Sequence, residues 1–145
     1  MLGQSVAESL TPVIERALVE ENPLVGLTTL IETAMEIVAR ERNTLAAANS
    51  TGSLTTDLSA AFFEAMTLLT GRAQQAGLVR SDLLPSDLPR IMGMVVSTLW
   101  STSSGGEAWR RYLAIVLDGM SPTGASALPP AEPALKAPQK SAWRL

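Results

Sequence analysis

Glu32, Glu36 and Arg40 recur at intervals of four residues, and carboxylates are the chain's only candidate acid–base groups, because it has no histidine and no cysteine. Two acids converging in a pocket could shift each other's pKa values and divide acid and base roles. Four residues apart on a helix, they share one face with the arginine and form a solvated surface with an ion pair. Nearly all other carboxylates fall on polar helix faces or at helix ends. The missing residue types remove thiolate and imidazole metal sites, disulfides, cysteine nucleophiles and every scheme that needs a histidine base. A carboxylate metal site of the bundle kind wants a Glu with a His three residues on, so no metal site is expected. There are no convincing strands and hence no strand-linked phosphate loop. The reading is of a protein that is not an enzyme and carries no cofactor.

What remains is an apolar set: Met35, Phe62, Met66, Leu69, Met92, Val96, Leu99 and Trp100, with Thr70 and Ser97 as nearby polar groups. Such Met and aromatic stripes usually form plain core. A cavity holding a small apolar ligand between helices needs much the same residues, with a few polar groups to orient it. The residue pattern leaves both readings open.

Helices must place that set. Thr11-Pro12 and Asn22-Pro23 each pair a capping side chain with a proline suited to a first helical turn. They predict helices over about 12–21 and 23–42. The first has Val13, Ile14, Ala17 and Leu18 on its apolar side, after a frayed start over 1–10. The second carries Leu24, Leu27, Ile31, Ala34, Met35 and Val38 on one stripe, broadened by Leu30 and Ile37. A loop is expected around 49–53. A third helix over about 54–76 buries Leu58, Ala61, Phe62, Ala65, Met66, Leu69 and Ala73, with Phe63 and Thr70 off the stripe. Gly77 is its stop, and Leu78 the apolar contact after it.

Two further apolar helices follow. The fourth opens with Ser86 as cap, Asp87 and Pro89, and runs to about Thr102. Leu88, Met92, Val95, Val96 and Leu99 make its core stripe. Its other side shows Gly93, Ser97 and Ser101 at helical spacing beside Met94 and Trp100, where a solvated face would carry charge. Small residues there let another helix approach closely. After a flexible Ser103–Gly106 link, the fifth helix covers about 107–118 and ends at Gly119 in a left-handed conformation. Its main face is Trp109, Leu113, Val116, Leu117 and Met120, and Tyr112 with Ile115 widens the apolar arc. Helices apolar on two sides are central to a core or paired across a two-fold axis, and in 145 residues pairing is favoured.

The fold class is therefore all-α, an antiparallel bundle of about five to six helices over 1–120. Residues 121–145 form a Pro/Ala-rich tail, with Pro122, Pro129, Pro130, Pro133 and Pro138 and no apolar periodicity, expected to be disordered or extended. Of the net charge of −3, the tail carries +2 and the helical part −5. An acidic body with no basic stripe is a poor nucleic-acid binder. The longest uncharged run, 91–106, is too short and polar to span a bilayer, and 1–10 lacks the features of a signal peptide. A cytoplasmic protein is expected.

The segment Arg72-Ala73-Gln74-Gln75-Ala76-Gly77-Leu78-Val79-Arg80-Ser81-Asp82, then Ser86-Asp87-Leu88, then Trp109-Arg110-Arg111-Tyr112-Leu113 and Leu117-Asp118-Gly119-Met120-Ser121-Pro122, resembles the C-terminal regulatory domain of TetR-type transcriptional repressors. The SbtR-like subgroup is the nearest in pattern, with its Ala-Gly-x-x-Arg-x-Asp connector, and Met120 and Ser121 are small departures from its closing run. The resemblance spans about 12–130. It implies an all-helical domain over 1–120 that dimerises through its last two helices and binds a small apolar effector among the middle ones. The implied effector residues are Met35, Phe62, Met66, Leu69, Thr70, Met92, Val96, Leu99 and Trp100. Gly93, Met94, Ser97, Trp100, Ser101, Tyr112 and Ile115 are the implied dimer residues. The family's DNA reader is a separate helix-turn-helix of about 50 residues, and nothing like it precedes Thr11, so direct nucleic-acid binding by this chain is not expected. The alternative is a helical protein–protein interaction module with a filled core and no ligand.

Overall fold

The first two helices form a hairpin because the chain between them stops one helix and caps the next within a few residues. In the computed structural model, α1 spans Leu2–Val19 and α2 spans Pro23–Ala47. Asn22 Oδ1 accepts from the backbone N–H groups of Leu24 and Val25, at 3.0 and 3.2 Å, which is the N-cap expected before Pro23. The structure describes residues 2–47, 60–101 and 107–131, with side chains placed over 9–41, 60–101 and 107–131. The expected loop at 49–53, Leu58, the Ser103–Gly106 link and the tail from 132 lie outside the described residues.

Helix α1 differs from expectation at its start. Thr11-Pro12 does not open it; Pro12 lies inside the helix. Proline removes one backbone donor and normally weakens a helix interior. Here the turns before it are retained, and Leu10 is completely buried in the core. Local proline chemistry loses to the burial of one large side chain.

Helix α3, Ala60–Gln75 among the described residues, packs on α2 and α1. Phe62, Ala65, Met66, Leu69 and Ala73 are buried as their spacing predicts, but Ala61 is exposed and Thr70, expected off the stripe, is buried. At Gly26 the hairpin and α3 meet so closely that an added Cβ would lie 2.7 Å from the Ala17 carbonyl oxygen and 3.3 Å from Leu69 Cδ2. Only glycine fits there. The helix ends at Gly77, which has a φ of 74°. The Leu78 N–H donates to the Ala73 carbonyl at 2.8 Å and the Gly77 N–H to that of Gln74 at 3.0 Å, a left-handed terminus that satisfies two otherwise free carbonyls.

Helix α4, Asp87–Ser97, runs into a 3-10 turn over Thr98–Trp100, and α5 covers Trp109–Met120. Ser86 makes no side-chain cap; Asp87 Oδ2 instead accepts from the Leu84 N–H at 2.9 Å. Helix α5 continues past Gly119, whose φ is not positive, and closes where Ser121 turns extended. Leu88, Met92, Val95, Val96 and Leu99 of the α4 segment join Trp109, Leu113 and Met120 of α5 in the same buried cluster as the first three helices. Every regular element among the described residues is helical, and none is long and apolar enough to cross a membrane. Residues 121–131 follow without helix or strand, exposed from Pro122 onward.

Candidate functional site

The interior is built by all five helices, and the residues of the effector reading come from three of them. Met35 from α2, Phe62, Met66 and Leu69 from α3, and Met92, Val96 and Leu99 from the α4 segment are all buried in one cluster. Phe62 and Phe63 meet edge to face with ring centroids 5.1 Å apart, a favourable aromatic geometry. Thr70 is 4% exposed, the one polar residue buried among the described residues, and its hydroxyl has no hydrogen-bond partner. Trp100 does not join this set: it is half-exposed on the outside of the 3-10 turn. Ser97 is also outside, its hydroxyl donating to the Met94 carbonyl at 2.6 Å.

The outer face of α4 and α5 is a second feature. Met94, Trp100, Tyr112 and Ile115 are between 40% and 59% exposed. Gly93, Ser97 and Ser101 lie on the same side of α4 and its turn, and a Cβ at Gly93 would meet nothing within 4 Å. Ser101 turns its hydroxyl back to the Thr98 carbonyl, at 3.2 Å, as Ser97 does to Met94. Both hydroxyls are thus bonded within their own helical segment, and the surface they leave is largely apolar. The face thus presents exposed apolar side chains beside small residues.

Two arginines tie the elements together, neither of them foreseen as a hub. Arg80 in the connector is 11% exposed at its side chain. Its Nε and Nη2 hold Asp82 at 2.7 and 3.0 Å, and Nη1 donates to the Gly119 carbonyl at 3.2 Å. Nη2 also donates to the Ser126 carbonyl, while the Arg80 N–H donates to that of Met120 at 2.8 Å. Gln74 Nε2 supports the turn from below through the carbonyls of Arg80 and Leu83, each at 3.0 Å. The hydrogen-bonded Arg80 holds the Asp82 carboxyl below its ordinary pKa, and Asp82 in turn raises that of Arg80. The connector motif is therefore a clasp between the end of α3, the end of α5 and the segment after it.

Arg110 is the second hub. It reaches across to α2, with Nη2 2.7 Å from Glu36 and Nη1 3.8 Å from Glu32, and Nε is 3.3 Å from Glu107. Its guanidinium lies 4.4 Å from the centre of the Trp109 ring, a cation–π contact. The hydrogen bond it donates to Glu36 leads the causes that raise its pKa. Glu32 and Glu36 are thus not simply a solvated face closed by Arg40; they fasten α5 to α2. Among the described residues no three carboxylates gather closely enough to hold a metal ion.

A groove of about 670 Å³ lies beside α4, between Leu83, Leu84, Ile91 and Met94 on one side and Leu128 to Ala131 on the other. It exists because the Arg80 clasp draws the segment after α5 back toward the connector.

Helices packed round one apolar interior, with a final pair that also exposes apolar side chains, define an all-α bundle. The family model described as transcriptional regulator SbtR-like, C-terminal domain, matches residues 24–122, and the chain belongs to that family, a TetR type of regulatory domain. No curated protein matches the chain. The matched range holds both arginine hubs and α2 through α5. Helix α1 falls outside it, although Leu10, Val13 and Ala17 contribute to the same core.

Proposed function

We propose that this is the effector-sensing and dimerisation domain of a TetR-like transcriptional regulator. Two copies pair through the outer face of α4 and α5, using Gly93, Met94, Ser97, Trp100, Ser101, Tyr112 and Ile115. A small apolar effector binds between the helices, among Met35, Phe62, Met66, Leu69, Thr70, Met92, Val96 and Leu99. Trp100, exposed beside Met94, belongs with the dimer face in this reading. The effector favours one packing of the helices over another, and the angle between the two subunits follows. In a regulator that carries DNA readers, that angle sets their spacing.

The observation that carries the reading is the apolar, small-residue face of α4 and α5 in a chain of this family. Two-fold pairing presents the same patch from both copies, and an apolar patch at the middle of α4 satisfies that geometry. Native mass spectrometry of the protein purified from its host, before and after denaturation, tests both parts. A dimer with a releasable small molecule is the expected result, and an unliganded monomer counts against both. Gly93→Leu sharpens the first part, since a Cβ there meets no atom of its own subunit within 4 Å. It is expected to give a folded monomer, and an intact dimer would remove the face from the interface.

A further inference from the structure

Thr70 differs from four other hydroxyls of α3 and the α4 segment. Thr67 donates to the Phe63 carbonyl at 2.9 Å, Thr98 to Val95 at 2.7 Å, and Ser97 and Ser101 each to the carbonyl three residues before. Each is satisfied within its own helical segment, the usual recourse of such residues in a helix. The Thr70 hydroxyl has no partner while being the most buried of them. Met66 and Ala73, its neighbours one turn away on each side, are also buried, so Thr70 lies on the inward face of α3.

From this we infer the chemical class of the effector: an elongated, uncharged amphiphile whose single hydrogen-bonding group meets the Thr70 hydroxyl and whose apolar body extends along α3 toward Phe62. The inference rests on the effector site proposed above and deepens it. A hydroxyl both donates and accepts, so an alcohol, a carbonyl or an ether satisfies it. A carboxylate or phosphate does not suit the site. No cation is buried among the described residues, and Arg72, Arg80 and Arg110 are engaged elsewhere: Arg72 with the Leu18 carbonyl, and the other two in their hubs. The other buried unpartnered oxygen, on Glu41, belongs to a carboxyl group and not to a cation. It is also remote: α2 meets Leu69 at Gly26, and the fifteen residues from there to Glu41 rise about 22 Å.

Length follows from the same helix geometry. Eight residues separate Thr70 from Phe62, a rise of about 12 Å, and the residues on the inward face between them, Ala65, Met66 and Leu69, are apolar. That matches an extended chain of about nine carbons. Methionines at positions 35, 66 and 92 give the site adaptable walls.

The test uses 1-nonanol and nonanoate as probes on the purified protein, read by thermal shift and titration calorimetry, with Thr70→Val and Thr70→Ser. The expected result is saturable nonanol binding, with nonanoate much weaker at pH 8. Thr70→Val lowers nonanol affinity roughly fivefold to tenfold, the effect of one hydrogen bond, and Thr70→Ser retains it. Without probe, Thr70→Val melts no lower than wild type, because it removes an unsatisfied buried group. Equal nonanol binding by wild type and Thr70→Val overturns the assigned role of Thr70 while the effector site stands. Tighter binding of nonanoate, or no binding of either probe, overturns the ligand class. Recovery of a molecule from the host-purified dimer decides the broader sensing reading separately.

Discussion

Arg110 Nη2 lies 2.7 Å from a carboxylate oxygen of Glu36, across 74 residues of sequence. The pair joins the last helix to the second, and its neighbours Glu32 and Glu107 surround the same guanidinium with negative charge. Arg110→Ala is expected to destabilise the fold by less than about 1 kcal/mol, because the group is more than a third exposed and water screens the pair. The loss should shrink as salt is raised toward about 1 M. Denaturant titrations of both proteins at low and high salt measure it, and a salt-independent loss would assign the effect to packing on Trp109.

The connector clasp predicts an acid response. Asp82 has a lowered pKa in the folded protein, caused first by its hydrogen bonds from Arg80. A depressed folded pKa means that the contribution to stability is present above the unfolded value, about 3.9, and is lost as pH falls through the folded one. Wild type should therefore melt above Asp82→Asn at neutral pH, with the gap closing below about pH 4. Melting curves across pH 3 to 7 decide this. A constant gap would mean that shape, not charge, distinguishes the two.

Gly26 predicts a steric penalty. Its missing side chain leaves room for the Ala17 carbonyl oxygen, 2.7 Å from where a Cβ would sit. Gly26→Ala should cost about 1–3 kcal/mol, as overpacking does, despite the better helix propensity of alanine. Equilibrium urea unfolding reads the sign directly, and a stabilised variant would show that α1 can shift away from α2 at little cost.

Leu10 tests whether the first turns of α1 belong to the folded core. Complete burial gives Leu10→Ala an expected loss of about 2–5 kcal/mol. A frayed start would make the substitution neutral. Urea midpoints separate the two.

These cases also mark how much the sequence discloses. The α2 stripe of Leu27, Ile31, Ala34, Met35 and Val38 is buried as its period requires, and Asn22 and Gly77 act as cap and stop as their types require. Each of those signals is local, and so is the family pattern in the connector. What escaped is decided by distant partners. Pro12 reads as a helix start until Leu10 is seen to be buried, and Thr70 lies off the stripe until its neighbours close over it. Gly26 carries a faint signal, a glycine inside an apolar helix, but its reason is a carbonyl on another helix. Glu32 and Glu36 have the spacing of a solvent-facing pair, and nothing near them announces Arg110. The core residues of the effector reading were found by periodicity, whereas the exposure of Trp100 depends on the 3-10 turn that ends α4.

Beyond Asp82, Arg80 addresses main-chain oxygens, those of Gly119 and Ser126. Any residue supplies the same carbonyl. The path of the chain after α5 is therefore insulated from substitution: residues 125 and 126 can drift among polar and small types while the route they trace stays in place. Tolerance to substitution in that stretch and sensitivity at Arg80 are the two expected sides of one arrangement, in which a side-chain grip holds the main chain whatever its side chains are.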